Sequence, residues 1–171
     1  MRLFTAVNIC EAGRDELCDT MRRMKAAGVA GSFTARENLH VTLVFIGETT
    51  RAGDVRAAMD GVSFAPFEFS VSGAGRFVRD EGDIIWAGVA GRELGELQKI
   101  LAGALASRGF RVEERAYRPH VTLCRRAVLP VGVDLSAFAP EFCPRVDRVS
   151  LYKSEFTNGA VKYTEIFSKR L

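Results

Sequence analysis

The sequence predicts an α+β fold with largely antiparallel sheet, arranged as two lobes, and three observations carry that expectation. Segments rich in β-branched and aromatic residues recur near 2–9, 39–46, 66–73, 84–90, 110–114, 119–125, 146–152 and 160–168. Several of them follow one another with no helix between, and a parallel pair would need such a crossover. Finally, Leu39-His40-Val41-Thr42-Leu43 returns as Pro119-His120-Val121-Thr122-Leu123 eighty positions later. Two lobes facing one another, each supplying one of these strands, is the economical arrangement.

The opening run Met1-Arg2-Leu3-Phe4-Thr5-Ala6-Val7 alternates as a first strand and lacks the apolar region and cleavage site of a signal peptide. In the first helix Leu17, Met21 and Met24 recur at i, i+4 and i+7, and Val55, Met59 and Val62 repeat that spacing in a second. The third helix, over 92–107, places Leu94, Leu97, Ile100, Leu101, Ala104 and Leu105 on one stripe, with Gly109 as its stop. The stretch 127–145 reads as a long surface connection. A chain of 171 residues makes one domain, 1–171, rather than two independent ones.

Apolar residues make up 47% of the chain but never form a run able to cross a bilayer. The four cysteines, Cys10, Cys18, Cys124 and Cys143, form no CxxC pair, so reduced thiols and a cytoplasmic location are expected. Twenty-four basic residues against 21 acidic ones leave a net charge of +3, too balanced to bind nucleic acid by bulk electrostatics. An anionic substrate must be held by a local site.

The chain has only two histidines, and both begin the same four-residue string. In a strand, residues i and i+2 share a face, so His40 with Thr42, and His120 with Thr122, point one way while Val41, Leu43, Val121 and Leu123 point into a core. Each motif presents an imidazole beside a hydroxyl on a rigid platform. Two imidazoles on opposite walls of a cleft suit displacement at phosphorus, one taking a proton from the incoming hydroxyl and the other giving one to the departing oxygen. A threonine hydroxyl can donate to a non-bridging phosphate oxygen. No metal or other cofactor is called for. A single strand histidine is more often a hydrogen-bonded structural residue; the shared threonine offset argues against that reading for the pair.

The pattern of two H-x-T-x motifs resembles the two-histidine (2H) phosphoesterase superfamily. The flanks Asn38-Leu39-His40-Val41-Thr42-Leu43-Val44-Phe45-Ile46-Gly47-Glu48 and Arg118-Pro119-His120-Val121-Thr122-Leu123-Cys124-Arg125 are similar to the RNA 2′,3′-cyclic phosphodiesterases, also called 2′-5′ RNA ligases. Arg2-Leu3-Phe4, Gly73-Ala74-Gly75-Arg76-Phe77, Trp86-Ala87-Gly88-Val89 and Leu151-Tyr152-Lys153-Ser154-Glu155 extend the likeness along nearly the whole chain. The resemblance implies two pseudo-symmetric lobes with outer helices around a central groove. It also implies metal-independent opening of a terminal 2′,3′-cyclic phosphate of RNA to a 2′-phosphate, with reversible 2′-5′ ligation when an RNA 5′-hydroxyl replaces water. It carries His40, as proton donor, and His120, as proton acceptor, onto the catalytic positions together with Thr42 and Thr122. A basic residue after the second motif maps to Arg125, although ideal alternation from His120 puts Arg126 on the site face and Arg125 behind it.

Arg36, Arg76, Arg118 and Arg126 are further candidates to meet RNA phosphates, and Phe33 or Phe77 to stack on a base. Solvated surface and core packing are the competing readings for these types. Cys124 lies too far along its strand from His120 for a proton relay and is assigned to packing. The expected partner is an RNA with a 2′,3′-cyclic phosphate end, with no membrane, no obligate protein partner and a monomeric state. Two other functions stay open: a 2H phosphodiesterase of small cyclic or 2′-5′-linked nucleotides, and a non-catalytic module that binds a nucleotide or RNA end.

Overall fold

Two antiparallel sheets divide the strands, and each contains one of the two histidine motifs. The computed structural model describes residues 1–113, 115–157 and 159–171. In the first sheet the order is β11-β10-β1-β3, built from Ala160–Arg170, Arg148–Thr157, Arg2–Asn8 and His40–Glu48. In the second it is β2-β7-β6-β5-β8, built from Ala30–Phe33, His120–Val128, Asp83–Ala90, Ser70–Phe77 and Glu141–Phe142. A short pair, β4 (Phe67–Glu68) with β9 (Arg145–Val146), stands apart. Every pairing between described strands is antiparallel.

Three helices form where the apolar spacing places them. Helix α1 (Glu11–Ala26) buries Leu17, Met21 and Met24, α2 (Ala52–Asp60) buries Val55, Ala58 and Met59, and α3 (Arg92–Ala106) buries Leu94, Leu97, Leu101 and Leu105. Ile100 leaves the stripe and stands 44% exposed, because a face defined by 94, 97, 101 and 105 turns position 100 toward its edge. The helices also cross between halves. Helix α1 follows β1 of the first sheet but touches β7 of the second, while α3 follows β6 of the second and touches β3 of the first. One buried apolar cluster, running from Leu3 through Leu43 and Ile85 to Leu123 and Leu151, joins both sheets. No helix of the described residues is long and apolar enough to cross a membrane.

Four expectations need correction. No strand forms at residues 110–113, where the chain is irregular after α3, and residue 114 lies outside the described residues. The strand expected over 66–73 divides into β4 and β5, and β5 runs on to Phe77 through Gly73, whose φ of 74° accompanies a register shift against β6. Strand β2 was not expected; it is a short edge strand made of Ala, Gly, Ser and Phe, with no alternating signal. The connection over 127–145 holds the end of β7, a 3₁₀ turn at Leu135–Phe138, β8 and the first residue of β9.

Gly75 shows how tightly the second sheet is built. It stands opposite Trp86, whose indole lies across the bare backbone; a Cβ at 75 would come within 2.4 Å of the ring. Gly75→Ala is therefore expected to displace the indole and to cost about 1–3 kcal/mol, the usual range for overpacking. A urea unfolding curve measures that loss. Because Trp86 is the only tryptophan, its emission reports the displacement directly.

Candidate active site

Both motif histidines are the first residue of a nine-residue strand, and the burial sequences of β3 and β7 agree over their first six positions: half-buried, buried, half-buried, buried, buried, exposed. The apolar alternate residues, Val41 and Leu43 or Val121 and Leu123, are sunk in the core, and this anchors the opposite face.

A shared bulge explains the break in alternation. Along β3, Thr5 faces Val44 while Ala6 faces Thr42, so β3 has one extra residue at Leu43. Along β7, Ile85 faces Cys124 while Trp86 faces Thr122, so β7 has its extra residue at Leu123. Leu43 and Val44, or Leu123 and Cys124, consequently both turn inward, and the next residue swings to the histidine face. That residue is Phe45 in one strand and Arg125 in the other. Ideal alternation had placed Arg125 behind the strand; the bulge reverses this, and the charge of Arg125 acts on both imidazoles. A second extra residue, opposite the step from Asp83 to Ile85, puts Arg126 at φ 50°, and its guanidinium donates to Ser32 Oγ at 2.8 Å. Cys124 is fully buried, and burial pushes its thiol up to about 11, so it is a packing residue.

Each imidazole is held in the same way. His40 Nδ1 lies 2.7 Å from the carbonyl of Asn38, and His120 Nδ1 lies 2.7 Å from the carbonyl of Arg118. A carbonyl can only accept, so Nδ1 carries the hydrogen and Nε2 of the neutral ring is left as the proton acceptor. His40 Nε2 meets Thr42 Oγ1 at 2.9 Å, whereas His120 Nε2 has no protein partner among the described residues. The motif threonines are also fixed through their backbones: Tyr117 Oη donates to the Thr42 carbonyl at 2.8 Å, and Thr34 Oγ1 donates to the Thr122 carbonyl at 2.8 Å.

The surroundings of the two rings differ. Phe4 lies 4.9 Å from the His40 ring, Tyr163 stands edge-on at 5.2 Å, and Tyr152 is stacked at 6.2 Å. Tyr152 is itself fixed by donating to Asn8 Oδ1 at 2.6 Å. This enclosure strips water from His40 and pushes its pKa down to about 4, with the nearby charges of Arg125, His120 and Arg14 adding to the effect. The His120 pKa is also lowered, chiefly by burial and then by Arg125 and Arg115. Phe77 stands edge-on to His120 at 5.2 Å, and Trp86, whose buried Nε1 has no partner among the described residues, lies against Phe77 at 5.4 Å.

Other sequence candidates lie elsewhere or are already occupied. Arg36 is clamped on the first turns of α1, 2.8 Å from Glu11 and 2.7 Å from Asp15. Arg76 pairs with Asp83 at 2.8 Å. Arg118 supplies its carbonyl to His120, and its side chain is exposed without a polar partner among the described residues. Phe33 packs under Lys25, 4.7 Å from its ammonium. Sequence reasoning missed Arg14. Its side chain is only 17% exposed, its Nη1 lies 3.5 Å from Glu11, its Nε is buried without a partner among the described residues, and its charge reaches both His40 and Tyr152. The signal was present but indirect: Arg14 lies on the first turn of the helix that follows Asn8, and Asn8 pairs with His40.

Both rings are therefore expected to be neutral at pH 7 in the free protein. Histidine NMR titration should give midpoints below 6.5 for both, with His40 the lower at about 4. An unfolded chain takes up the His40 proton near 6.5, so this residue's contribution to stability is complete above that pH and is lost as pH falls towards 4. A midpoint for His40 at or above 6.5 would contradict the enclosure described.

Comparison with known proteins identifies the family. Residues 13–157 match the model of the 2′-5′ RNA ligase superfamily. The chain is 32% identical to an RNA 2′,3′-cyclic phosphodiesterase of Methanothermobacter thermautotrophicus, covering 100% of this chain and 99% of that protein. It is 27% identical to an Escherichia coli protein of the same name, covering 96% and 93%. The crystal structure of E. coli LigT complexed with 3′-AMP superposes with a TM-score of 0.82 at 27% identity, covering 99% of this chain and 96% of that one. With the motifs, the two-sheet fold and the matched relatives in agreement, the chain belongs to the 2′-5′ RNA ligase superfamily.

Proposed function

We propose that the chain is an RNA 2′,3′-cyclic phosphodiesterase that opens a terminal cyclic phosphate to a 2′-phosphate by acid–base catalysis between His40 and His120. The observation that carries this reading is the pair of Nδ1-anchored imidazoles that share the charge of one arginine, Arg125. His120 Nε2 takes a proton from water, and the water oxygen forms a new bond to phosphorus. The bond from phosphorus to the 3′-oxygen breaks, and that oxygen receives the proton of His40 Nε2, which leaves a 2′-phosphate and a 3′-hydroxyl.

The unlike surroundings support this assignment of roles. His120 Nε2 is unpartnered among the described residues and open to a water molecule. His40 lies deeper and is neutral in the free protein; the substrate anion docking beside it supplies the counter-charge with which Nε2 takes up from solvent the proton it then gives to the 3′-oxygen. Thr42 and Thr122 donate to the non-bridging oxygens, while Arg125 and Arg14 approach the phosphate from the two sides. One chain supplies both imidazoles, so a monomer has a complete site.

Incubation of an oligonucleotide ending in a 2′,3′-cyclic phosphate should release only the 2′-phosphomonoester, and recovery of intact substrate would refute the reading. His40→Ala and His120→Ala should each slow the reaction on the order of 10²–10⁴-fold while the fold persists by circular dichroism. Arg125→Gln and Arg14→Gln should lower kcat/KM about 10- to 100-fold, the loss of a charge-assisted contact. Binding of the 2′-phosphate product should raise the His40 NMR midpoint; an unchanged midpoint would remove His40 from the phosphate site.

A further inference from the structure

A cavity of about 680 Å³ is lined by Arg2, Phe45, Arg111, Glu113 and Arg115 among others. Neither motif histidine lines it, but a buried ring and a charge connect it to their site. Phe4 lies 4.9 Å from the His40 ring and 5.9 Å from the Phe45 ring, and so bridges the two. Arg2 lies two residues from Phe4 and therefore on the same face of β1. From the other side, the charge of Arg115 reaches His120.

The chemistry of the cavity is that of a single-strand track. Three arginines line it against one glutamate, in a chain whose net charge is only +3. Glu113 is paired with Arg115 at 2.5 Å, and Arg2 and Arg111 have no ion-pair partner among the described residues. Phe45 is 49% exposed, a bare aromatic face beside cationic side chains, which is the combination that stacks a base while neighbouring phosphates are neutralised. Asn8, which pairs with His40, and Arg2 stand about 20 Å apart along β1, at roughly 3.3 Å per residue. That covers several nucleotides at about 3.4 Å per stacked base.

We propose that this cavity binds the RNA strand upstream of the cyclic phosphate, with Arg2 and Arg111 on backbone phosphates and Phe45 against a base. The proposal rests on the phosphodiesterase reading of the groove and makes the chain an enzyme of oligonucleotide ends rather than of cyclic mononucleotides. The double variant Arg2→Gln/Arg111→Gln separates the two ideas, because neither residue belongs to the acid–base machinery. Wild-type protein should hydrolyse an oligonucleotide 2′,3′-cyclic phosphate with kcat/KM at least about tenfold above that for a 2′,3′-cyclic mononucleotide. In the double variant the oligonucleotide value should fall to the mononucleotide level, the mononucleotide value should stay unchanged, and the salt dependence of oligonucleotide KM should weaken by about one unit of log–log slope per lost phosphate contact. An equal rate on both substrates in the wild type, or an undiminished oligonucleotide advantage in the variant, would overturn the proposal. If neither substrate turned over, the phosphodiesterase reading would fail. Fluorescence anisotropy with a labelled 3′-phosphorylated oligonucleotide would then decide the cavity alone: binding weakened about tenfold in the double variant supports it, and unchanged binding overturns it.

Discussion

The hydrogen bond from each histidine Nδ1 to the carbonyl two residues upstream is the constraint on which the site depends. It fixes the tautomer, orients the ring and leaves Nε2 as the working atom. The bond forms because each histidine opens a strand, just after the chain turns in at Asn38 or Arg118. The strand in turn keeps its register because Val41, Leu43, Val121 and Leu123 are locked in the core. The apolar half of the motif thus aims its polar half. Acid–base chemistry needs that order of causes, since a ring free to rotate would present either nitrogen to the substrate.

The two halves repeat a scaffold while dividing the work. Both motif strands bulge three residues after the histidine, and both expose the fifth residue on the groove face. In one half that residue is Phe45, which lies 5.9 Å from Phe4; in the other it is Arg125, whose charge reaches both rings. Helices α1 and α3 each cross to the opposite sheet, which ties the walls of the groove together. A rigid groove suits an acid and a base that must act on one phosphorus atom from two sides.

The repeated motif made the histidines, the threonines and the antiparallel architecture legible, because strand periodicity is local and two histidines in matching strings leave little choice. Much of the rest depends on pairing partners far away in the chain. The placement of Arg125 follows from a bulge that only the register against Trp86 and Ile85 reveals. Arg36 and Arg76 are candidates by residue type, but nearby carboxylates, Glu11 and Asp15 for one and Asp83 for the other, occupy them. The cage of Phe4, Tyr152 and Tyr163 is gathered from β1, β10 and β11, which adjoin only after folding. Arg14 is one of several polar residues on an amphipathic helix, and its burial depends on how α1 leaves β1. In each case a residue's type can be read along the chain, whereas its availability is decided by its neighbours in space.

The central claim, that both imidazoles address one phosphate, is tested most directly by a crystal structure with the 2′-phosphate product of a short RNA bound. The phosphate should lie between the motifs with oxygens within hydrogen-bond distance of His40 Nε2 and His120 Nε2, both Nδ1 atoms still bonded to the carbonyls of Asn38 and Arg118. A phosphate bound by only one histidine, or lodged away from both, would contradict the account.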